Sequence, residues 1–323
     1  MSSIMIAWVR YQRRADIMKE FWGYKDIYIT SNFKGKVLKP FDYIYKIYQT
    51  ILALRKEKPD YLWMQLPPTF MIFIGALYKM LSKKKVVLIG DFHNSAMRPK
   101  WFNIIGVKKF LNKLDVLIVH NEQVRSELLL KGISSHVIRV LEDMPFSYEK
   151  SVDIEVNGKS VLFPCSFDID EPLDVVLNAA KLMPEVEVYI TGKYEGKIEK
   201  SVVQGAPANV KFTGYLSKEK FDELFWSSGV ILGLTTRDNV QLSVSNEALS
   251  AEKPMVLSDT TTLKNLFGEA AIFVDSLDSE SISSGCVNAL NDIANLENKT
   301  RILKESRTER WFNQAQRVRE KMI

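Results

Sequence analysis

Residues 229–258 read GVILGLTTRDNVQLSVSNEALSAEKPMVLS, and this stretch limits the fold more than any other part of the chain. An apolar run at 230–234 suits a buried strand, and a polar loop fills 235–241. A helical pattern then covers 243–251, and a second apolar run occupies 254–257. Strand, loop, helix and strand in that order form a βαβ unit, which demands a parallel sheet with the helix crossing one face. Open sheets of this kind receive ligands where such loops leave the carboxyl ends of the strands. A helix starting there directs unpaired N–H groups and the positive end of its dipole at the ligand, which suits a phosphate.

The same alternation runs through the rest of the sequence. Short apolar runs at 4–9, 27–30, 61–65, 86–89 and 116–120 are expected strands, with helical patterns at 13–21, 43–56, 69–81 and 121–130 between them. Ile44, Ile47, Ile51 and Leu54 recur at three- and four-residue spacing and are expected to form one helical face. Pro67-Pro68 closes a strand and lets a helix begin at Thr69. That helix is apolar nearly all round, so it is expected to pack on the sheet rather than lie on a membrane. The irregular, polar segment 141–158, with Pro145 and Asn157-Gly158, is the expected linker. A second series follows, with strands at 160–163, 186–190, 210–213 and 271–274 and helices at 173–183, 218–226 and 281–296. The expected architecture is α/β, with two doubly wound domains at 1–150 and 151–323. The chain closes on a basic amphipathic segment, 301–322, containing Trp311-Phe312.

Composition narrows the function. With 46% hydrophobic and 26% charged residues the chain reads as soluble and globular. Two cysteines, Cys165 and Cys286, make no disulfide framework, and three histidines show no metal-ligand spacing. Neither a metal nor a cofactor is expected. Residues 2–9 are apolar but run into Arg10, Arg13 and Arg14, unlike a secretory leader. The apolar run 69–81 contains Lys79 and is too short for a bilayer, so a cytoplasmic protein is expected. Residues 1–145 hold 24 Lys/Arg against 12 Asp/Glu, while the remainder holds 20 against 27. The first half is therefore expected to face an anionic partner, such as a lipid surface or a pyrophosphate-bearing acceptor. The positive charge is dispersed and carries no recognition module, which argues against nucleic acid.

Glu247-Ala248-Leu249, with Pro254 seven residues after the Glu, resembles the donor-binding segment of family 4 glycosyltransferases. The resemblance implies the GT-B fold, two Rossmann-like domains with an interdomain cleft, in which a terminal helix commonly crosses back onto the first domain. It implies that Glu247 holds the ribose hydroxyls of a nucleotide sugar. Asn239 stands where that family often has an acidic residue for the transferred sugar. Thr235, Thr236 and Arg237 are placed to meet the diphosphate, and Ser243 and Ser245 either donate to it or cap the helix. Gly192-Lys193 and Gly214-Tyr215-Leu216 each follow a strand and resemble the family's segments that lie along the nucleobase. Ser166 to Glu171 replaces the family's usual diphosphate clamp. It is similar to the corresponding loop of the β-mannosyltransferases that elongate dolichol-linked chitobiose. Leu66-Pro67-Pro68, Gly90-Asp91-Phe92-His93-Asn94 and Ile190-Thr191-Gly192-Lys193 resemble that second family as well.

Asp91 and His93 sit just past a strand, where a base would take the proton of an acceptor hydroxyl. The competing reading makes Asp91 a helix cap and His93 a structural histidine. His120, after the next strand, is a second candidate. Arg13 and Arg14 either pair with an acceptor phosphate or decorate a solvated helix. Together these readings point to a metal-independent hexosyltransferase using a nucleotide-sugar donor and a lipid-linked, oligosaccharide or polysaccharide acceptor. Its expected place is bacterial surface polysaccharide synthesis, peripheral to the inner face of the plasma membrane. A nucleotide-sugar 2-epimerase of similar fold and a non-catalytic glycosyltransferase-like partner subunit are the alternatives.

Overall fold

Short runs rich in Val, Ile and Leu become parallel strands, and these fall into two six-stranded sheets. The computed structural model describes residues 2–33, 35, 37–148 and 154–322. The chain divides into two units, Met1–Met144 with Glu309–Ile323, and Pro145–Thr308.

The first unit opens with β1 (Ser3–Ala7), α1 (Arg13–Trp22), β2 (Lys25–Tyr28), α2 (Lys39–Glu57), β3 (Tyr61–Leu66) and α3 (Met71–Leu81). It continues with β4 (Val87–Phe92), the short helices α4 (Pro99–Phe102) and α5 (Val107–Leu111), β5 (Val116–Val119), α6 (Glu122–Leu130) and β6 (Ile138–Val140). The sheet order is β2-β1-β3-β4-β5-β6, parallel throughout. One face is filled by Ile4, Ile6, Leu62, Met64, Leu88 and Leu117 beneath α2 and α3. Met5, Trp63, Ile89 and Ile118 line the other face, together with Trp311, Ala315 and Val318 from the end of the chain.

In α2 the buried face keeps Leu54, with Ile47 and Ile51 half-buried, but is turned slightly from the expected one. Ile44 is 62% exposed, while Thr50 and Leu54 are 3% exposed. Thr50 is drawn inward because its hydroxyl accepts a hydrogen bond from the Trp8 indole at 3.0 Å. The helix rotates about its axis accordingly, and Phe41, Ile44, Tyr48 and Leu52 lie exposed. Helix α3 buries Met71, Ile72 and Gly75 but leaves Leu77, Met80 and Leu81 exposed. Among the described residues no helix is long and apolar enough to cross a membrane.

The second unit contains β7 (Asn157–Pro164), α7 (Leu173–Leu182), β8 (Glu187–Thr191), α8 (Lys200–Gln204), β9 (Val210–Gly214) and α9 (Lys218–Ser227). The βαβ unit follows as β10 (Ser228–Gly233), α10 (Ser243–Ser250) and β11 (Met255–Ser258). After it come α11 (Thr261–Phe267), β12 (Ala271–Val274) and α12 (Ser279–Asn291). The order β12-β11-β10-β7-β8-β9 reverses direction between β10 and β7, which makes the carboxyl ends of those two strands the switch point of the sheet. Of the expected linker 141–158, residues 149–153 lie outside the described residues, and Asn157-Gly158 begin β7 instead. The final helix, α13 (Ile293–Met322), starts in the second unit and ends in the first.

Candidate functional site

Two loops leave the switch point of the second sheet, one after β7 and one after β10, and a single carboxylate ties them together. Asp170 accepts a hydrogen bond from the Thr235 hydroxyl at 3.0 Å and pairs with Arg237 at 3.1 Å. The Thr236 amide adds a third link by donating to the Asp170 carbonyl at 2.8 Å. Behind Thr235, its own amide donates to the Ser258 hydroxyl at 2.7 Å, and Ser276 closes the set by donating to Ser258 at 2.6 Å. The β10 loop is thus pinned at its base, while Thr236, Arg237, Asp238 and Asn239 are exposed at its crest.

The β7 loop is built around Glu171. One of its carboxylate oxygens accepts from the Ser166 hydroxyl at 2.8 Å and from the Asp168 amide at 3.2 Å. The Cys165 thiol donates to the same oxygen at 3.4 Å, and burial, reinforced by Glu171, pushes that thiol's pKa up. The neighbouring strand end approaches so closely that position 192 admits only glycine. Gly192 has φ of 142°, and a Cβ there would stand 1.9 Å from the Cys165 carbonyl oxygen. Lys193 follows it, exposed. After β9, Gly214 turns the chain at φ of 72°, leaving Tyr215 82% exposed and Leu216 half-buried.

Helix α10 begins directly after the β10 loop. Its first residue, Ser243, is exposed, and Glu247 lies one turn further on the same side. Glu247 is buried to 9% exposure, unlike the solvated glutamate usual on a helix. Ser245 turns inward and donates to the Leu242 carbonyl at 2.7 Å, so it serves the helix start rather than a ligand. The structure therefore gathers Ser166, Thr236, Arg237, Asn239, Ser243 and Glu247 on segments that leave the switch point. Gly192, Lys193, Tyr215 and Leu216 follow the two outer strands of the same half-sheet.

In the first unit a second cluster forms where β1, β4 and β5 end. Phe92 and Val119 are paired in register, so His93 and His120 leave the sheet side by side with ring centroids 4.6 Å apart. Asp91, 1% exposed, has one carboxylate oxygen 3.3 Å from His93 Nε2 and the other 3.6 Å from His120 Nε2. Burial alone would push this carboxyl up. The Arg14 guanidinium and the two imidazoles instead hold it well below the usual carboxylate range. Burial lowers the pKa of His120, and the Arg14 charge lowers it further.

Arg14 is neither solvated nor open to an acceptor phosphate. It is 7% exposed and donates to Asp91 at 3.3 Å, Asp143 at 2.5 Å, the Glu142 carbonyl at 2.9 Å and the Leu141 carbonyl at 2.7 Å. Arg13 beside it is exposed. Gln12 caps α1 through its side-chain oxygen, which accepts from the Ala15 amide, and its amide nitrogen lies 3.2 Å from His93 Nε2. Asp91 does not cap the turn that follows, because that turn starts at Asn94 with no side-chain cap. Gln12 and Asp143 left no signal in the sequence, and Asp170 was marked only as part of the loop at 166–171, because their partners lie 65 to 129 residues away.

Residues 158–292 match the family model described as glycosyl transferases group 1, and residues 9–141 match the glucosyltransferase 3-like N-terminal domain. No curated protein sequence matches the chain. Among solved structures, Anabaena HepE in complex with UDP-glucose superimposes with a TM-score of 0.74 at 12% identity, over 99% of this chain and 98% of that one. A sucrose-phosphate synthase from Thermosynechococcus elongatus gives 0.70 at 14% identity over 99% and 98%. The lipopolysaccharide outer core galactosyltransferase WaaB, in its apo form, gives 0.64 at 12% identity over 99% and 100%.

Proposed function

We propose, for a chain that is a glycosyltransferase of the GT-B fold with a group 1 domain at residues 158–292, that it moves a hexose from a nucleoside-diphosphate sugar to a hydroxyl of a lipid-linked or polysaccharide acceptor. The observation that carries this reading is Glu247, a carboxylate almost withdrawn from water at the first turns of the helix leaving the switch point. A buried carboxylate accepts hydrogen bonds from paired hydroxyls, and the ribose of a nucleotide offers such a pair. Arg237, Thr236 and Ser243 then face the diphosphate, Asn239 the sugar, and the backbone at Tyr215 and Leu216 the base edge. Ser166 and Gly192-Lys193 border the same ligand. The UDP-glucose bound to HepE makes UDP the first nucleotide to try.

In the first unit, His93 is the group we assign to the acceptor proton, with Asp91 orienting it from below; Arg13 serves an acceptor phosphate. As the acceptor oxygen bonds to the anomeric carbon, the bond from that carbon to the diphosphate breaks. The nucleoside diphosphate leaves with the electron pair and the proton passes to His93. Cationic and N–H groups on the second unit's loops suit the leaving group, so we assign the transfer no metal. The basic first half and the exposed apolar residues of α2 and α3 support a peripheral position on an anionic membrane. Calorimetric titration with UDP-glucose and UDP tests the donor site. Glu247→Ala is expected to weaken binding by about tenfold to a hundredfold, the worth of one or two hydrogen bonds to a charged group. Unchanged affinity in a folded variant would remove the assignment.

A further inference from the structure

At the ends of β4 and β5 three lone-pair donors converge with nothing between them. Among the described residues, Asp91 Oδ2 and His120 Nε2 are buried and have no hydrogen-bond partner. The third is His93 Nε2. Gln12 is fixed with its oxygen on the Ala15 amide, so its amide N–H faces His93 Nε2 at 3.2 Å, and an ion there takes over the lone pair that this N–H otherwise meets. The carboxylate and the two imidazoles bring one ligand atom each within 4.8 Å of the others. The approach of His93 Nε2 to Asp91 Oδ2, 3.3 Å, is near the separation of about 3.3–3.6 Å between neighbouring ligands on a tetrahedral ion with bonds of about 2.0–2.2 Å, while His120 Nε2 lies 3.6 Å from the other oxygen, which Arg14 holds.

We propose that Asp91, His93 and His120 form a binding site for a divalent first-row cation of the Zn²⁺ class. Two imidazoles and one carboxylate are the donor set such ions prefer, whereas Mg²⁺ and Ca²⁺ seek oxygen. Arg14 lies against the site, but with Asp91 and Asp143 it sums to one negative charge, so the ion enters a net anionic cluster. An ion held here takes the lone pair of His93 that transfer requires. This last consequence rests on the proposed role of His93, and it makes the ion an inhibitor rather than a cofactor.

The test is calorimetric titration of the full chain, freed of metal with EDTA and dialysed, with ZnCl₂ and separately with MgCl₂. One Zn²⁺ per chain is expected, with no response to Mg²⁺. Affinity is expected to fall by at least about tenfold in both His120→Gln and His93→Gln. His136→Gln, at the remaining and exposed histidine, is expected to bind as the wild type does. Near-ultraviolet circular dichroism on each variant separates loss of a ligand from loss of the fold, and His93, the more exposed of the pair, is the safer substitution. No Zn²⁺ binding by the wild-type chain, or equal binding by both folded variants, overturns the site. Transfer measured in EDTA and then at saturating Zn²⁺ is expected to be full and then suppressed. Unimpaired transfer by the Zn²⁺-loaded chain would leave the ion site standing and overturn His93 as the base.

Discussion

Asp170 carries the two loops of the donor half on one side chain, and its charge sets a cost on any anion that arrives there. Arg237 is 46% exposed and already paired, so a diphosphate must either displace the carboxylate or share the guanidinium with it. Exposed pairs of this kind are worth roughly 0–1 kcal/mol. Asp170→Asn keeps an acceptor for the Thr235 hydroxyl while removing the competing charge. Calorimetry should then show UDP binding tightened by up to about fivefold, and weaker binding would mean that Asp170 acts by holding the loop. The sequence made Glu247, Arg237 and Ser243 legible because they follow one another within a single βαβ unit. It could not make Asp170 or Arg14 legible. An ion pair across 77 residues, such as Arg14 with Asp91, leaves no periodic trace, and an arginine after a strand looks the same whether it faces water or a carboxylate. His120 had only its place after a strand to mark it.

At the scale of elements, the period of a pattern proved easier to read than its phase. Strands β1, β3, β4 and β5 were visible as apolar runs because both faces of a parallel sheet are buried. The helix at α2 was visible for its spacing, and Leu54, Ile47 and Ile51 of the expected face turn inward, but that face is off by about a seventh of a turn, which leaves Ile44 outside. One hydrogen bond between Trp8 and Thr50 outweighed the preference for burying Ile44. A pair of substitutions separates the two phases. Leu54→Ala should cost about 2–4 kcal/mol in urea denaturation, as for other buried leucines. Ile44→Ser should change stability by less than about 0.5 kcal/mol, the usual range for an exposed position. Equal losses at the two positions would restore the isoleucine face. Short elements such as β6, α8 and α11 escaped the sequence reading, since three to seven residues carry too little pattern to distinguish from a loop.

At the scale of the whole chain, helix α13 makes the first unit depend on residues far along the chain from the rest of it. The sheet of that unit presents Met5, Trp63, Ile89 and Ile118 on one face, and the nearby helix α1 covers part of it with Ala15 and Met18. The rest is completed by Trp311, Ala315 and Val318, each 0% exposed and spaced by three or four residues along α13. Trp311 meets Phe21 edge-on at 4.9 Å, and Gln314 accepts the Glu142 amide at 2.9 Å, so the contact is specific as well as apolar. A chain ended after Thr308 would leave this face open to water. Sequence alone showed a basic helix with one aromatic pair, which suits a solvated surface equally well, because the residues it covers lie some 190 to 310 positions earlier. Trp311→Ala tests the dependence without removing the helix. Loss of a fully buried tryptophan is expected to cost about 3–5 kcal/mol. Native-state hydrogen exchange should place that cost in one sheet: amides of β3, β4 and β5 lose protection, while those of β7, β10 and β11 keep theirs. Equal loss in both sheets would mean that the two units unfold as one, and that α13 couples them rather than serving the first alone.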